Sequence, residues 1–215
     1  MTYQDNFQKW LDFAELPDYL RKDLEGMDEK TKEDAFYTNL EFGTAGMRGL
    51  IGAGTNRINI YVVRQATEGL ARLIDEKGDE FKKRGVAIAY DSRHFSPEFA
   101  FESAAVLAKH GIKSYVFESL RPTPELSFAV RHLGTFAGIM ITASHNPAPF
   151  NGYKVYGEDG GQMPPHDADA LTDYIRAIEN PFAIEVADVE AEKASGLIEV
   201  IGDAIDAEYL KEVKD

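Results

Sequence analysis

Between residues 59 and 141, short apolar runs alternate with helix-like segments, and this alternation limits the possible folds most strongly. The apolar runs cover residues 86–90, 112–117 and 136–141, and the helix-like segments cover residues 59–77, 96–111 and 124–133. Short apolar runs suit buried strands, and strands that alternate with helices of this length form βαβ units. The sequence therefore predicts an α/β fold, with a mixed but mostly parallel sheet and helices on both faces.

Polar residues lie just beyond two of these strands. Asp91 comes after the first run, and Ser144 comes shortly after the third. Ligands of open α/β sheets bind at the carboxyl ends of the strands, so we expect a site that includes this edge. Ser96 is predicted to cap the next helix because Pro97 follows it, at a position where helices accept proline. His110 and Gly111 predict the end of that helix.

The two ends of the chain differ from the middle. Residues 1–40 contain short segments with helical spacing, interrupted at Pro17. A strand is predicted at 197–201, and a helix begins at Asp203 and meets the end of the chain. We therefore expect a helical extension at 1–40 packed on an α/β domain at 41–202, with 203–215 as the start of a truncated second domain.

The charge distribution bears on the kind of ligand. The net charge is -14, and residues 156–215 account for most of it with 16 acids against 4 bases. Residues 41–155 hold 11 acids and 14 bases, so an anionic ligand is repelled least there. No basic patch or stripe of the kind that binds nucleic acid occurs, and we expect no nucleic-acid partner.

Composition limits both the cellular compartment that we expect and the kinds of chemistry that the chain can perform. There is no cysteine, which excludes disulfides, thiolate metal sites and thiol catalysis. No apolar stretch approaches the roughly 18 residues that a membrane-spanning helix needs. The first residues are acidic and mixed, unlike a signal peptide. We expect a cytoplasmic protein without a membrane partner.

Glycines at residues 49–54 raise the possibility of a nucleotide site. Their spacing is not G-x-G-x-x-G, and no strand-to-helix switch is predicted there. The chain also has no G-x-x-x-x-G-K-[ST] motif. A nucleotide-binding domain is therefore disfavoured, although affinity for ATP or NAD without any affinity for sugar phosphates would support it.

Residues 142–147, with the sequence T-A-S-H-N-P, predict an exposed loop after the third strand. Asn146 and Pro147 stop the strand and favour a turn, which presents Ser144 at the edge of the sheet. Serine is a weak nucleophile unless a base activates it or a reactive group is already attached. His145 is adjacent, but adjacency does not establish a hydrogen bond, so an ordinary turn serine remains an alternative.

Three ordered motifs resemble the α-D-phosphohexomutase family. The serine loop and the following N-G-Y-K, residues 142–154, are similar to the active-site serine loop of that family. Residues 41–49, E-F-G-T-A-G-M-R-G, resemble its first glycine-rich motif, and residues 86–97 resemble its strand-and-loop signature. The resemblance extends from Glu41 to about Ile201 and is closest to the phosphoglucomutase branch.

This resemblance implies roles for four residues. Ser144 is expected to be phosphorylated and to give its phosphoryl group to a sugar monophosphate through a bisphosphate intermediate. Arg48 is expected to act as a cation near the transferring group, since a guanidinium matches phosphate oxygens. Lys154 is expected near the reacting hydroxyl as a proton carrier, and His145 is expected to assist by acid–base work or orientation. At Asp91, Arg93 and His94, a salt-bridge or loop-shaping role is at least as plausible as catalysis.

The resemblance also implies one Mg²⁺, bound partly through the phosphate on Ser144. Family members hold this metal with a D-x-D-x-D-R cluster that this chain lacks, so the remaining ligands are expected outside the chain. Asp167 and Asp169 would supply only two of the carboxylates of such a cluster. We interpret them as residues at the start of a helix, where negative charge complements the helix dipole. Family members have four domains, and this chain corresponds to the first. We therefore expect the isolated piece to fold but to be inactive.

The implied activity is an intramolecular phosphotransferase that interconverts glucose 1-phosphate and glucose 6-phosphate through glucose 1,6-bisphosphate. Mannose and pentose phosphates remain alternative substrates, since the sugar-recognition loop is missing from this chain. A non-catalytic module that binds sugar phosphates is an alternative of another class.

Overall fold

The computed structural model describes residues 2–43 and 46–214, so Thr44 and Ala45 of the glycine-rich motif lie outside the described residues. Ten α-helices and six strands follow one another in this part of the chain. In chain order they are α1 (Tyr3–Leu11), α2 (Asp18–Glu25), α3 (Glu29–Phe36), β1 (Met47–Leu50), α4 (Ile60–Lys77), α5 (Asp79–Arg84), β2 (Val86–Tyr90), α6 (Ser96–Lys109), β3 (Ser114–Phe117), α7 (Thr123–Leu133), β4 (Ala137–Ile141), β5 (Phe150–Tyr156), α8 (Pro165–Arg176), α9 (Val189–Ser195), β6 (Ile198–Ile201) and α10 (Asp203–Lys214).

The strands form one sheet in the order β1-β5-β4-β2-β3-β6. β2 pairs in parallel with β3 and β4, and β3 pairs in parallel with β6. β5 runs antiparallel to both β1 and β4. The predicted α/β fold with a mixed, mostly parallel sheet is therefore confirmed. β2 and β4 are adjacent and parallel, so the loops that follow them leave the same edge of the sheet.

Helices cover both faces of the sheet. Successive side chains of a strand point to opposite faces, so a strand that is apolar throughout must be buried on both sides. Ile88 of β2 belongs to the larger core, which includes Leu70 of α4 and Leu107 of α6. Its neighbour Ala87 belongs to the second core, with Leu126 of α7. All five residues of β2 are buried, as expected for a central parallel strand.

The helical extension packs around an aromatic cluster. Trp10 of α1 meets Phe36 of α3 edge-to-face, with ring centroids 5.8 Å apart, and meets Tyr61 of α4 at 5.6 Å. Tyr61 lies in the first turn of the long helix α4, so this cluster joins the first three helices to α4. Pairs of this geometry stabilise by about 0.5–1.5 kcal/mol beyond the area they bury.

The start of α6 corrects one prediction. Ser96 does not cap this helix; it is the first helical residue, and Phe95 precedes it in the left-handed conformation with φ of 63°. The Ser96 hydroxyl donates to Asp91 Oδ1 at 2.9 Å, which takes the side chain away from the helix amides. The loop after β2 therefore determines this helix start, rather than a side-chain cap.

Other elements differ from their predicted bounds. The strand predicted at 112–117 begins at Ser114, because Ile112 N still bonds back to Leu107 O at the end of α6. The strand predicted at 136–141 begins at Ala137, and the strand predicted at 197–201 begins at Ile198. The strand β1 and the short helices α5 and α9 were not predicted.

Candidate functional site

The loop between β4 and β5 presents Ser144 at the carboxyl edge of the sheet. The Ser144 residue is exposed and has a φ of 58°, in the left-handed region that serine rarely adopts. Its backbone N–H donates to Thr142 Oγ1 at 3.0 Å. A second contact, from Asn146 N to Ala143 O at 3.1 Å, closes the turn. Ser144 was predicted to lie on a loop after the third apolar run, which is β4, and this position is confirmed. We call residues 142–149 the serine loop.

Arg93 connects the loop after β2 to the serine loop. Its guanidinium donates to four backbone carbonyl oxygens, those of Ser144 (3.1 Å), Asn146 (2.6 Å), Pro147 (2.9 Å) and Phe150 (2.9 Å). Both a structural role and a catalytic role were considered for Arg93, and these contacts are those of a residue that shapes the loop.

Asp91 organises the loop that holds Arg93. Its Oδ1 accepts hydrogen bonds from Arg93 N at 3.0 Å and from Ser96 Oγ at 2.9 Å. Arg93 Nε lies 3.4 Å from Asp91 Oδ2, which completes an ion pair. The fully buried Asn151 of β5 donates to the Ser96 hydroxyl at 2.9 Å and to His94 O at 3.0 Å. These contacts fix the two loops to the sheet.

Arg48 reaches the serine loop from the edge strand β1. It pairs across from Gly152 in the antiparallel register of β1 and β5, and its side chain is exposed. Arg48 Nη1 donates to Asn146 Oδ1 at 3.4 Å. The close approach of β1 requires glycine, because a Cβ on Gly46, where φ is 87°, would lie 2.1 Å from Tyr153 O.

Lys154 lies on β5, half-buried and paired across from Met140 of β4. Burial lowers the pKa of its amine, and the positive charge of Arg48 lowers this pKa further. The carboxylate of Asp91 acts in the opposite direction. Lys154 is therefore within electrostatic range of both Arg48 and Asp91, and its neutral form is more accessible than that of a free lysine.

His145 is exposed on the serine loop, next to Ser144. Among the described residues its ring makes no hydrogen bond to the Ser144 hydroxyl or to any other group. The structure therefore assembles no serine–histidine pair of the kind that activates a serine nucleophile. Arg48 contacts the serine loop directly and His145 belongs to it, but neither His145 nor Lys154 makes a hydrogen bond to Ser144 among the described residues.

A cavity of about 410 Å³ opens between the two loops, lined by Asp91, Ser92, Arg93, His94, Ser144 and Ala148. Within residues 2–43 and 46–214, no group of three or more histidine or acidic side chains is arranged to hold a metal ion. Asp167, considered above as a carboxylate near a helix start, lies in the first turn of α8 and pairs with Lys77 at 3.1 Å.

None of the described helices combines the length and the apolar character that crossing a membrane requires.

Sequence reasoning missed Asn151 as a member of this network. The dipeptide Asn151-Gly152 suggests only a turn, yet it lies inside β5 and its amide is fully buried. The signal that could have identified it is an uncharged polar residue in a segment of mainly aromatic and apolar residues, since a buried amide needs hydrogen-bond partners.

The fold and the site define an α/β domain with an exposed serine loop at the carboxyl edge of its sheet. The sequence profile described as phosphoglucomutase/phosphomannomutase, alpha/beta/alpha domain I, matches residues 39–182. The chain belongs to this family and contains its first domain, as the sequence motifs predicted.

Curated relatives support the same assignment. A protein named phosphoglucomutase from Staphylococcus saprophyticus is 42% identical over 206 residues, which cover 95% of this chain and 36% of that protein. One from Staphylococcus epidermidis is 41% identical over 207 residues, covering 96% of this chain and 37% of the relative. The chain thus spans little more than a third of the length of these relatives.

Solved structures share the fold. A Thermus thermophilus protein described provisionally as a phosphomannomutase is 32% identical, with a TM-score of 0.59 over 74% of this chain and 36% of its own. The Paramecium phosphoprotein parafusin, named as a phosphoglucomutase, aligns with a TM-score of 0.61 at 19% identity. That alignment covers 81% of this chain and 35% of parafusin, and it supports the fold alone.

Proposed function

We propose that the protein containing this chain is a phosphoglucomutase that interconverts glucose 1-phosphate and glucose 6-phosphate through a phosphoserine at Ser144. The observation that supports this most is the exposure of Ser144 on a shaped loop that Arg48 contacts from the neighbouring strand pair. Phosphoryl transfer depends chiefly on in-line positioning and on neutralising the charge of the transferring group. A pre-shaped serine loop and an adjacent guanidinium meet these two needs.

In the proposed reaction, the bond between phosphorus and Ser144 Oγ breaks as a bond forms to a hydroxyl oxygen of the sugar monophosphate. The proton of that hydroxyl passes to a base of the protein. The resulting glucose 1,6-bisphosphate returns its other phosphoryl group to Ser144 Oγ, and the leaving sugar oxygen takes a proton back. The departing Ser144 Oγ takes up a proton in the first half-reaction and gives it up in the second, so each half-reaction balances and the enzyme ends phosphorylated as it began.

Lys154 is proposed as the proton carrier. Its lowered pKa makes a neutral amine easier to reach than in a free lysine, as a group that both takes and returns a proton requires. Arg48 is proposed to bind the oxygens of the transferring phosphoryl group as a cation. His145 is proposed to orient the sugar hydroxyl or to assist the proton transfer, since its exposed ring lies next to Ser144.

The expected Mg²⁺ does not fit this chain alone, because its described residues offer no group of three or more carboxylates or imidazoles arranged to hold a metal ion. A phosphoryl group on Ser144 would supply one oxygen of the kind that Mg²⁺ prefers. We propose that the other ligands lie outside these 215 residues. We further propose that residues 41–202 form the serine domain, with 1–40 as its extension and 203–215 as the start of the next domain, and that the isolated chain is inactive. The cytoplasmic location stays a prediction.

Phosphate transfer to Ser144 tests this proposal. The longest product of the gene is incubated with glucose 1,6-bisphosphate, and the peptide containing Ser144 is weighed by mass spectrometry, with a Ser144→Ala variant as control. One added phosphoryl group on the wild-type peptide alone supports the proposal. A protein that never takes phosphate at Ser144 would contradict the proposal and support the alternative of a non-catalytic module that binds sugar phosphates.

A phosphomannomutase is the second candidate, favoured by the description of the Thermus thermophilus protein. A phosphopentomutase remains possible for the same fold. Relative rates on the 1-phosphates of glucose, mannose and a pentose distinguish the three, because each candidate predicts the highest rate on its own sugar.

A further inference from the structure

Arg93 binds four backbone carbonyl oxygens with its guanidinium, three in the serine loop and that of Phe150 at the start of β5. A guanidinium has five N–H donors in a fixed planar fork. Its Nη1 and Nη2 atoms each meet two carbonyl oxygens, and its Nε faces Asp91. Three of the four carbonyls lie in the serine loop, outside any helix or strand, so one side chain supplies hydrogen bonds that regular structure does not supply there.

The two loops joined by Arg93 also contain unusual backbone conformations. Among the described residues, Ser144 (φ 58°) and Phe95 (φ 63°) are the only non-glycine residues with positive φ. Such conformations persist only where surrounding contacts over-determine them. Ser144 lies in the serine loop, and Phe95 lies two residues after Arg93. The unfavourable conformations and the contacts that hold them are therefore in the same two loops.

We propose that Arg93 is the positioning residue of the phosphoserine: it holds the Ser144 backbone in the left-handed conformation from which the side chain is presented. This inference rests on the proposed function for its catalytic consequence, although its structural part stands alone. Arg93 binds the carbonyl oxygen of Ser144, and no contact joins it to the hydroxyl. It acts on the reaction through the loop.

The geometry makes a specific demand on the side chain at position 93. Four carbonyl oxygens are spanned by a rigid fork, whereas a lysine offers one compact ammonium with three donors. Arg93→Lys keeps the charge and the ion pair to Asp91 but cannot reach all four carbonyls. Loss of function in this variant would therefore indicate that the role of Arg93 depends on the shape of its guanidinium, because a purely electrostatic role tolerates lysine.

Arg84 provides a matched control. It too binds two backbone carbonyl oxygens, those of Gly134 (2.9 Å) and Thr135 (3.3 Å), and one carboxylate, that of Glu158 (2.7 Å). It lies immediately before β2, at the opposite end of this strand from Arg93. Arg84→Ala removes a similar set of contacts far from the serine loop.

The first experiment follows hydrogen exchange of the peptide that covers residues 142–150 in the 215-residue chain. We expect exchange about tenfold faster or more in Arg93→Ala and Arg93→Lys, and unchanged exchange in Arg84→Ala, because local opening follows the loss of local contacts. Unchanged exchange in folded Arg93→Lys would overturn the inference. Circular dichroism establishes folding, and Arg93→Lys decides the question if Arg93→Ala does not fold.

The second experiment measures the catalytic consequence in the longest product of the gene. We expect Arg93→Lys to lower kcat by about 10²-fold while KM for the sugar phosphate stays nearly constant, since small misplacements of a reacting group have effects of that size. A raised KM with unchanged kcat would contradict a positioning role. If the wild type takes no phosphate at Ser144, the proposed function fails, and the exchange experiment still decides the role of Arg93.

Discussion

Arg48 Nη1 donates a hydrogen bond to the side-chain oxygen of Asn146, which joins edge strand β1 to the serine loop. The two residues are 98 positions apart in the sequence. Their contact depends on the antiparallel pairing of β1 with β5, which brings Arg48 opposite Gly152. A cation is thereby held beside the loop that contains Ser144.

Replacing Arg48 by alanine should reduce activity without unfolding the protein. Its side chain is exposed, so we expect the free energy of unfolding to change by at most about 0.5 kcal/mol. Loss of the proposed phosphate contact should lower kcat/KM by about 10²-fold or more. Steady-state kinetics and urea unfolding measure the two quantities, and Arg48→Lys should lose less activity. Wild-type kinetics in Arg48→Ala would remove this residue from the site.

Replacing Lys154 by methionine should change how stability depends on pH. The folded-state pKa of Lys154 lies below its ordinary value of 10.5, so the folded state binds fewer protons than the unfolded state between the two pKa values. In wild type this group therefore destabilises at neutral pH, and the penalty fades as the pH rises from the folded pKa towards 10.5. Lys154→Met should be the more stable protein at pH 7, with an advantage that shrinks at high pH.

Unfolding by urea at a series of pH values measures this effect. Lys113→Met is the control, since that lysine is already ion-paired with Glu199 at 2.7 Å and its replacement removes a favourable contact. A Lys154→Met protein that is less stable than wild type at pH 7, or equally stable at every pH, would contradict the account.

Replacing Glu125 by glutamine should remove a pH dependence near neutrality. Burial raises the pKa of the Glu125 carboxyl to about 7, and Asp206 adds to the rise. The folded state therefore binds more protons than the unfolded state between the ordinary pKa of 4.5 and about 7, and stability falls as the pH rises through that window. Glu125→Gln should flatten this fall.

Glu118→Gln is the matched control, because Glu118 is exposed and also approaches Arg121, at 3.7 Å. The same window should persist in that variant. Asp206 has a lowered pKa because Arg121 donates to it, and the stability it contributes is lost only at lower pH. Thermal unfolding from pH 4 to pH 8 compares the variants, and an unaltered slope in Glu125→Gln would show that another group titrates.

A Cβ at position 152 should disrupt the junction of β1, β5 and the serine loop. A methyl on Gly152 would lie 2.5 Å from Thr142 O and 2.7 Å from Met47 O, and backbone atoms cannot rotate away. We expect Gly152→Ala to lower the free energy of unfolding by about 1–3 kcal/mol or more. Gly26→Ala is the control, since its nearest neighbours are 3.5 Å away and its φ is -86°. Equal stability of both variants in urea unfolding would contradict the close packing.

The central strands could be predicted from the sequence because their signals are local. The runs at β2 and β4 are continuous and apolar, and both strands lie within one residue of the predicted bounds. β1 has no such signal, because its four residues belong largely to the glycine-rich motif. They become a strand only by pairing with β5, about a hundred residues later in the sequence. The short helix α5 was missed because Phe81 is its only apolar residue.

The site shows the same division between local and tertiary information. The loop position of Ser144 follows from a strand that ends before Asn146-Pro147, which is a local signal. The contacts of Arg93 are to backbone carbonyls, and such acceptors leave no mark in the sequence. Ser96 was assigned as a cap because Ser-Pro favours that position locally, yet Asp91 competes for its hydroxyl in the folded protein.

A coupled mutase assay decides whether Ser144 carries the phosphoryl group. The longest product of the gene and its Ser144→Ala variant receive glucose 1-phosphate, Mg²⁺ and a trace of glucose 1,6-bisphosphate, and glucose 6-phosphate is followed. We expect turnover by the wild type and none by the variant, because Ser144 Oγ is the proposed carrier of the phosphoryl group. Turnover that survives in Ser144→Ala would contradict this role.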